Sequence, residues 1–365
     1  MKKTVVVAID SYKNSASSLE INQAVKDGLS AVHPEIDVKM ISIADGGEGT
    51  LSAIQTNLGG EEITVETVDL MGRTIFAKYL MDNTTAYLEV AEVVGIDKIC
   101  PSEETFIRAN SFGLAALLID AKRRGAKKIV VGLGGSGCSD GGLGLLKGLG
   151  AKTQSLSNYE DFDASRLESF DGIEIIGLAD VTNVYTGTNG FSYFFGPQKG
   201  GSLALMNRLD NKAKQFASDI KKNYQIDLQE IEGSGAAGGI GGALIFLGGK
   251  IESGFHFLKE MLNLDEIIRT SDLVITGEGK MDYQTAYGKV PFGIASICQK
   301  YNVDVVAICG SLGDKLGEMD DILLASFSIQ QSPISLEKAM EKERTLRNVK
   351  RISQMIGKLY FKELI

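Results

Sequence analysis

Residues 4–9 read Thr-Val-Val-Val-Ala-Ile, an apolar, β-branched run with no polar alternation. A run this short and continuous is a buried strand. It is followed by Ser17 and Glu20, spaced as a capping box, and by a helix that would bury Ile21, Val25, Leu29 and Val32 before stopping near Pro34. A second strand is expected over residues 38–43. The loop from Ala44 to Thr50 then leads into a helix carrying Leu51, Ile54 and Leu58. This strand–helix–strand–helix order is that of an α/β layer.

The texture changes near residue 62. Short strand-like pieces at 63–68, 74–80 and 85–90 suggest an antiparallel patch. A helix over 111–124, a strand over 128–131, a helix running to 149, a buried strand over 173–179 and a polar helix over 203–222 follow. The parallel pattern returns after Leu273, with strands at 273–276, 303–309 and 322–326 and a helix over 291–300. One long amphipathic helix is expected to close the chain, with Leu336, Met340, Leu346, Val349, Ile352 and Ile356 on its buried side. The two ends therefore read as one domain, residues 1–61 plus 272–365, with a second domain inserted over 62–271. The expected class is α/β: a parallel-sheet, Rossmann- or flavodoxin-like domain built from both chain ends, and a mixed-sheet α/β domain with glycine-rich loops inserted into it.

Composition narrows the function. The 365 residues are 44% hydrophobic and carry a net charge of −9, which disfavours nucleic acid as a partner because phosphate backbones need a clustered basic surface. No apolar run is long enough to cross a bilayer, and the start reads as a first strand and not as a signal peptide. The four cysteines, Cys100, Cys138, Cys298 and Cys309, are scattered, as suits reduced thiols in a cytoplasmic protein. The two histidines, His33 and His256, exclude a histidine-rich zinc site and speak against a Ser-His-Asp triad. His33, beside Pro34 at a helix end, reads as structural, and His256, in a helix-like stretch, as partly buried. Homodimerisation is left open.

Glycine is the outlier. Its 43 copies exceed the usual share of about 7%, and many sit beside carboxylates at expected strand ends. Asp10-Ser11-Tyr12-Lys13-Asn14-Ser15 follows the first strand, Asp45-Gly46-Gly47-Glu48-Gly49-Thr50 the second, Asp180-Val181-Thr182-Asn183 the run at 173–179, and Thr276-Gly277-Glu278-Gly279-Lys280-Met281-Asp282 the run at 273. Ligands favour that edge of a parallel sheet. Glycine N–H groups and helix N-termini can hold phosphate oxygens, carboxylates can hold Mg²⁺, and lysine can neutralise charge that builds up on transfer. These are the parts of phosphoryl transfer. Any one such Asp could instead cap the next helix. It is the recurrence at several strand ends that favours a site.

Gly132-Leu133-Gly134-Gly135-Ser136-Gly137 matches GxGxxG after a strand, so an NAD-linked dehydrogenase of a small hydroxy acid is the alternative. The next residues, Cys138-Ser139-Asp140-Gly141-Gly142, add glycine where a helix should pack, and no acid-tipped strand follows about 20 residues on. Neither a Walker A sequence nor the H-R-D and D-F-G kinase signatures is present.

In this order, the loops resemble those of the type 1 glycerate kinase family. The matching stretches are residues 10–15, 44–50, 132–142, 180–183, 195–200, 235–241 and 276–282, extended by Gln284-Thr285 and Gly288-Lys289-Val290-Pro291. They span nearly the whole chain. The resemblance implies phosphorylation of D-glycerate by ATP with a divalent metal, usually Mg²⁺, and 2-phosphoglycerate as the favoured product, with 3-phosphoglycerate as the other option. On this reading Lys13 or Arg73 holds the substrate carboxylate, with Asp10, Ser11 and Lys199 also binding substrate. Gly134, Gly135, Ser136, Asp140, Gly141, Gly142 and Glu278 contact the nucleotide. Asp45, Asp180 and Asp282 hold the metal, and Asp180, Asp45 and Lys13 are catalytic, with Asp180 orienting or deprotonating the attacking hydroxyl. Tyr12 and Asn14 stand where the family usually has Phe and Gly, and Lys280-Met281 where it usually has Arg-Ile.

Overall fold

The computed structural model describes residues 2–44, 46–47, 49–286 and 289–362. Asp45, Glu48 and Gly288 lie outside the described residues. The chain divides into two compact units, one comprising Met1–Asp45, Ser52–Leu58 and Phe255–Ile365, the other Gly46–Leu51 and Gly59–Gly254.

The first unit carries a parallel sheet. Its five strands among the described residues, in chain order, are β1 (Thr4–Ile9), β2 (Asp37–Met40), β3 (Leu273–Gly277), β4 (Asp304–Cys309) and β5 (Ala325–Ser328). Their spatial order, 2-1-3-4-5, is the flavodoxin-like one. The chain leaves for the second unit between β2 and β3, so β1 and β3 are neighbours that flank the switch point of the sheet. Helix Ser18–Ser30 starts on the expected capping box: Ser17 accepts from the Glu20 N–H and Glu20 reaches back to Ser17. This helix packs beside helix Lys342–Tyr360. Gly28 permits the approach, since a Cβ there would lie 2.5 Å from the Lys350 carbonyl oxygen. Val5, Val7, Ile9, Ile21, Leu29, Ile308, Val349 and Ile352 form the core on this face. Each such side chain contributes roughly 1.5–3 kcal/mol on full burial. Helix Val290–Tyr301, with Pro291 at its start, packs on β1, β3 and β4.

The second unit has a six-stranded mixed sheet. Strands Lys250–Glu252, Glu174–Leu178, Lys128–Gly132 and Thr85–Glu89 run parallel. Thr74–Asp82 and Glu61–Val68 complete it antiparallel, as the three short pieces near residue 62 predict. Gly132 is in register with Leu178, so the loops after both strands leave the same edge.

Several expectations are corrected. The closing helix is two helices, Leu336–Ala339 and Lys342–Tyr360. Glu341 breaks the run with an extended ψ of 118°, and Leu336 is 75% exposed instead of joining the core. The last strand begins at Ala325, because residues 319–322 form a helical turn. The glycine-rich stretch delays its helix to Leu143–Gly148, and the helix expected from 111 starts at Leu114. His256 is exposed on helix Gly254–Met261, while His33 is buried.

Candidate functional site

In the first unit the parallel register brings the carboxyl ends of the strands together. Ile9 is opposite Gly277 and Cys309 is opposite Ser328. The residues that follow, Asp10 to Lys13 with Ser15, Glu278 to Lys280, Gly310-Ser311 and Ile329-Gln330, therefore line one cavity of about 460 Å³ outside the sheet edge. Its position at the β1/β3 switch point is where open α/β sheets bind ligands. Asp10, Ser11, Lys13 and Glu278, all expected from sequence, meet there.

The Asp10 loop is a tight turn. Ser15 N–H donates to the Tyr12 carbonyl, and Asn14 takes the left-handed conformation at φ 61°. Asn is the non-glycine residue that enters this region most readily, so Asn14 holds the turn without a glycine. Tyr12 anchors it from below, its buried hydroxyl donating to the Ile308 carbonyl at 2.8 Å. Asp10 accepts from the Ser11 N–H at 2.6 Å. Lys13 is exposed, and its ammonium makes no ion pair with the described residues.

Glu278 is nearly buried. Thr285 donates to it at 2.5 Å and the Lys289 ammonium lies 3.4 Å away. Burial raises its pKa above the usual carboxylate range despite these partners. Lys280 and Lys289 also line the cavity, and Leu336, Ala339 and Met340 supply an apolar wall. Asp282 is held locally: it accepts from the Gln284 N–H and pairs with Lys280 at 3.2 Å. Its slight burial pulls the pKa up, but these partners outweigh burial and the pKa falls.

In the second unit the glycine loop after strand Lys128–Gly132 is packed backbone to backbone. A Cβ on Gly134 would lie 2.2 Å from the Gly47 Cα, and one on Gly142 would lie 2.6 Å from the Ala243 Cβ. Gly141 donates to the Gly238 carbonyl, with Ala237, Gly238 and Gly239 all at positive φ. Gly135, Gly141 and Gly142 are left-handed too. The glycine run and the Gly235–Gly241 motif are thus complementary surfaces, which is why both need glycine. Ser136 accepts from Lys199 at 3.0 Å, and the Cys138 carbonyl accepts from it at 2.6 Å. Lys199 is 2% exposed, and burial pulls its pKa down to about 8. Beside them the buried Ser139 hydroxyl has no hydrogen-bond partner among the described residues.

Asp140 is spent on architecture. One oxygen accepts from the Ser111 N–H, the Ser111 hydroxyl and the Gly144 N–H at 2.8, 2.8 and 3.0 Å, and the other from the Gly142 N–H at 3.1 Å. Asp180, past the end of strand Glu174–Leu178, accepts from the Ser253 hydroxyl and the Gly254 N–H. Arg73 closes a hairpin onto Asp69 at 2.5 Å and donates to the Lys98 carbonyl. Sequence reasoning did not foresee the apolar wall at 336–340, whose spacing matches a core-facing helix, nor Ser311 and Thr345, which carry no local signal.

A family model described as the glycerate kinase family matches residues 5–360. The chain is 37% identical to a glycerate 2-kinase of Escherichia coli K12 over 92% of each chain. It is 33% identical to a glycerate kinase of Halalkalibacterium halodurans, over 96% of this chain and 98% of the relative. Among solved structures it is similar to one provisionally described as glycerate kinase 2 from Salmonella typhimurium LT2, with TM-score 0.84 and 32% identity over 99% of each chain. With a family match over nearly its whole length and relatives above 30% identity, the chain belongs to the glycerate kinase family.

Proposed function

We propose that this enzyme transfers the terminal phosphoryl group of ATP to the 2-hydroxyl of D-glycerate in the cytoplasm, with Mg²⁺ accompanying the nucleotide. The observation that carries the reading is the cavity at the β1/β3 switch point, where Asp10, Glu278, Lys13, Lys280 and Lys289 line one space of about 460 Å³. That volume lies within the range of small-molecule sites. The three lysines suit phosphate oxygens, and Leu336, Ala339 and Met340 offer an apolar face for a base.

Mg²⁺ is usually held by one or two carboxylates together with substrate phosphates. Asp10 and Glu278 fit that donor set, and no larger acid cluster is needed. Asp282 fits it less well, since Lys280 already neutralises it. When bound, the ion would neutralise charge on the phosphates. The chain's own residues do the rest. Lys13, on the hydrogen-bonded turn after β1, meets the transferring group's charge. Lys199 holds the glycine loop through Ser136 and Cys138. Asp180, oriented by Ser253 and the Gly254 N–H, is our candidate to orient or accept the proton of the attacking hydroxyl. The name of the Escherichia coli relative, glycerate 2-kinase, supports the 2-hydroxyl as acceptor.

Phosphorus NMR of a mixture of enzyme, ATP, Mg²⁺ and D-glycerate tests this. A phosphomonoester on C2 is expected. A C3 ester would overturn the acceptor assignment, and an unchanged ATP spectrum would overturn the activity. An Asp180→Ala enzyme that folds and keeps its turnover would remove Asp180 from the mechanism.

A further inference from the structure

A second cavity, of about 180 Å³, lies in the same unit between helix Lys342–Tyr360 and the segment 330–334. Arg344, Arg347 and Arg351 line it from one face of that helix, where positions three and four apart are neighbours. This concentration of guanidinium groups stands against a chain whose net charge is −9.

Their pairing is incomplete. Arg351 donates to the Gln331 side-chain oxygen at 2.9 Å. Arg347 makes no ion pair or hydrogen bond among the described residues. The Arg344 Nε is buried without a hydrogen-bond acceptor among them; the Glu341 carboxylate, at 3.7 Å, is beyond hydrogen-bond reach. The Gln330 Oε1 is likewise buried without a donor. A buried donor left unsatisfied is unfavourable, and like charges gathered at one cavity repel. A bound anion removes both costs.

We propose that this cavity, which adjoins the pocket at Asp10 through the shared Gln330 but has its own arginine lining, is an anion site that takes a small phosphate-bearing molecule. Guanidinium forks match phosphate oxygens bidentately. The volume falls below the roughly 300 Å³ at which sites for drug-sized ligands begin, so a nucleotide does not fit. The Gln330 Oε1 asks for an O–H donor, which a monohydrogen phosphate or a phosphorylated hydroxy acid provides. The site does not depend on the proposed activity.

Calorimetric titration of the full-length protein with inorganic phosphate, and separately with 3-phosphoglycerate, tests it. The titrations compare wild type, Arg347→Ala/Arg351→Ala and Lys13→Ala. Both arginines are exposed, so the double variant is expected to keep its circular dichroism spectrum. Its affinity should fall at least about tenfold, the loss of more than one charge-assisted contact, while Lys13→Ala retains wild-type affinity at this site. Equal binding of the two probes identifies free phosphate as the ligand class, and tighter binding of 3-phosphoglycerate identifies organic phosphates. Undiminished binding in the double variant, no binding by wild type at millimolar concentration, or loss of all binding in Lys13→Ala overturns the proposal.

Discussion

The Lys199 ammonium, buried in its unit, donates to the Ser136 hydroxyl at 3.0 Å across 63 residues of chain. Its other acceptor is the Cys138 carbonyl, and Asp140, whose charge acts on it, has committed both oxygens elsewhere. Desolvation therefore dominates and brings its pKa to about 8, with Cys138 and Asp140 opposing. A lysine depressed in the folded state costs stability while charged, and that cost is relieved as pH rises. Stability should rise between about pH 8 and pH 10.5, by roughly 3 kcal/mol at most. Denaturant unfolding across this window, compared with Lys199→Met, isolates the contribution. The variant's curve should lack the rise. If the ammonium supports phosphate binding through the glycine loop, nucleotide affinity should decline above pH 8 in the wild type.

Asn14 tests the turn that presents Lys13. At φ 61°, Asn14→Gly should leave stability within about 0.5 kcal/mol, whereas Asn14→Val should cost roughly 1–2 kcal/mol. Thermal unfolding checks both. The Gly variant should keep the wild-type KM for ATP, since the turn survives. The Val variant should raise it.

Much of this architecture was legible because its periods are strong. The runs at 4–9 and 273–276 could only be buried strands, and the Ser17–Glu20 spacing announced a helix start that the structure forms atom for atom. The strand-end loops of the first unit were legible for the same reason, since a parallel sheet gathers them at one edge. What escaped reading depends on contacts distant in sequence. The 336–356 stretch keeps a helical apolar stripe, yet Glu341 breaks it and Leu336 faces a cavity. Nothing in a stripe distinguishes a core from a pocket wall. The roles of Asp140 and Lys199 likewise hang on Ser111 and Ser136, partners that no local pattern connects.

Glu278 should govern the acid side of the activity profile. Burial raises its pKa, so kcat/KM should fall on acidification through a group titrating above the usual carboxylate range. That limb should vanish in Glu278→Gln, with activity reduced at least about a hundredfold if the carboxylate meets the metal–phosphate unit. A raised carboxyl pKa means the stabilising contribution is present at low pH and is lost as pH rises through the folded value. At pH 7 the neutral variant should therefore be as stable as wild type or more so. A pH–rate profile and a melting curve on the same preparations read both effects.

Asp140 separates a nucleotide ligand from a structural anchor. Its four accepted hydrogen bonds tie Ser111 to the start of helix Leu143–Gly148 inside a buried region. Removing the carboxylate strands those donors, and hydrogen bonds to a charged acceptor contribute about 1.5–3 kcal/mol each before relaxation. Asp140→Ala should lose roughly 3 kcal/mol or more in denaturant unfolding. The molecules that remain folded should bind ATP with a dissociation constant near that of wild type, because the carboxylate's oxygens already face protein donors. A stable Asp140→Ala enzyme with sharply weakened ATP binding would instead make this residue a nucleotide contact, and would require the Ser111 tether to be broken when the nucleotide is bound.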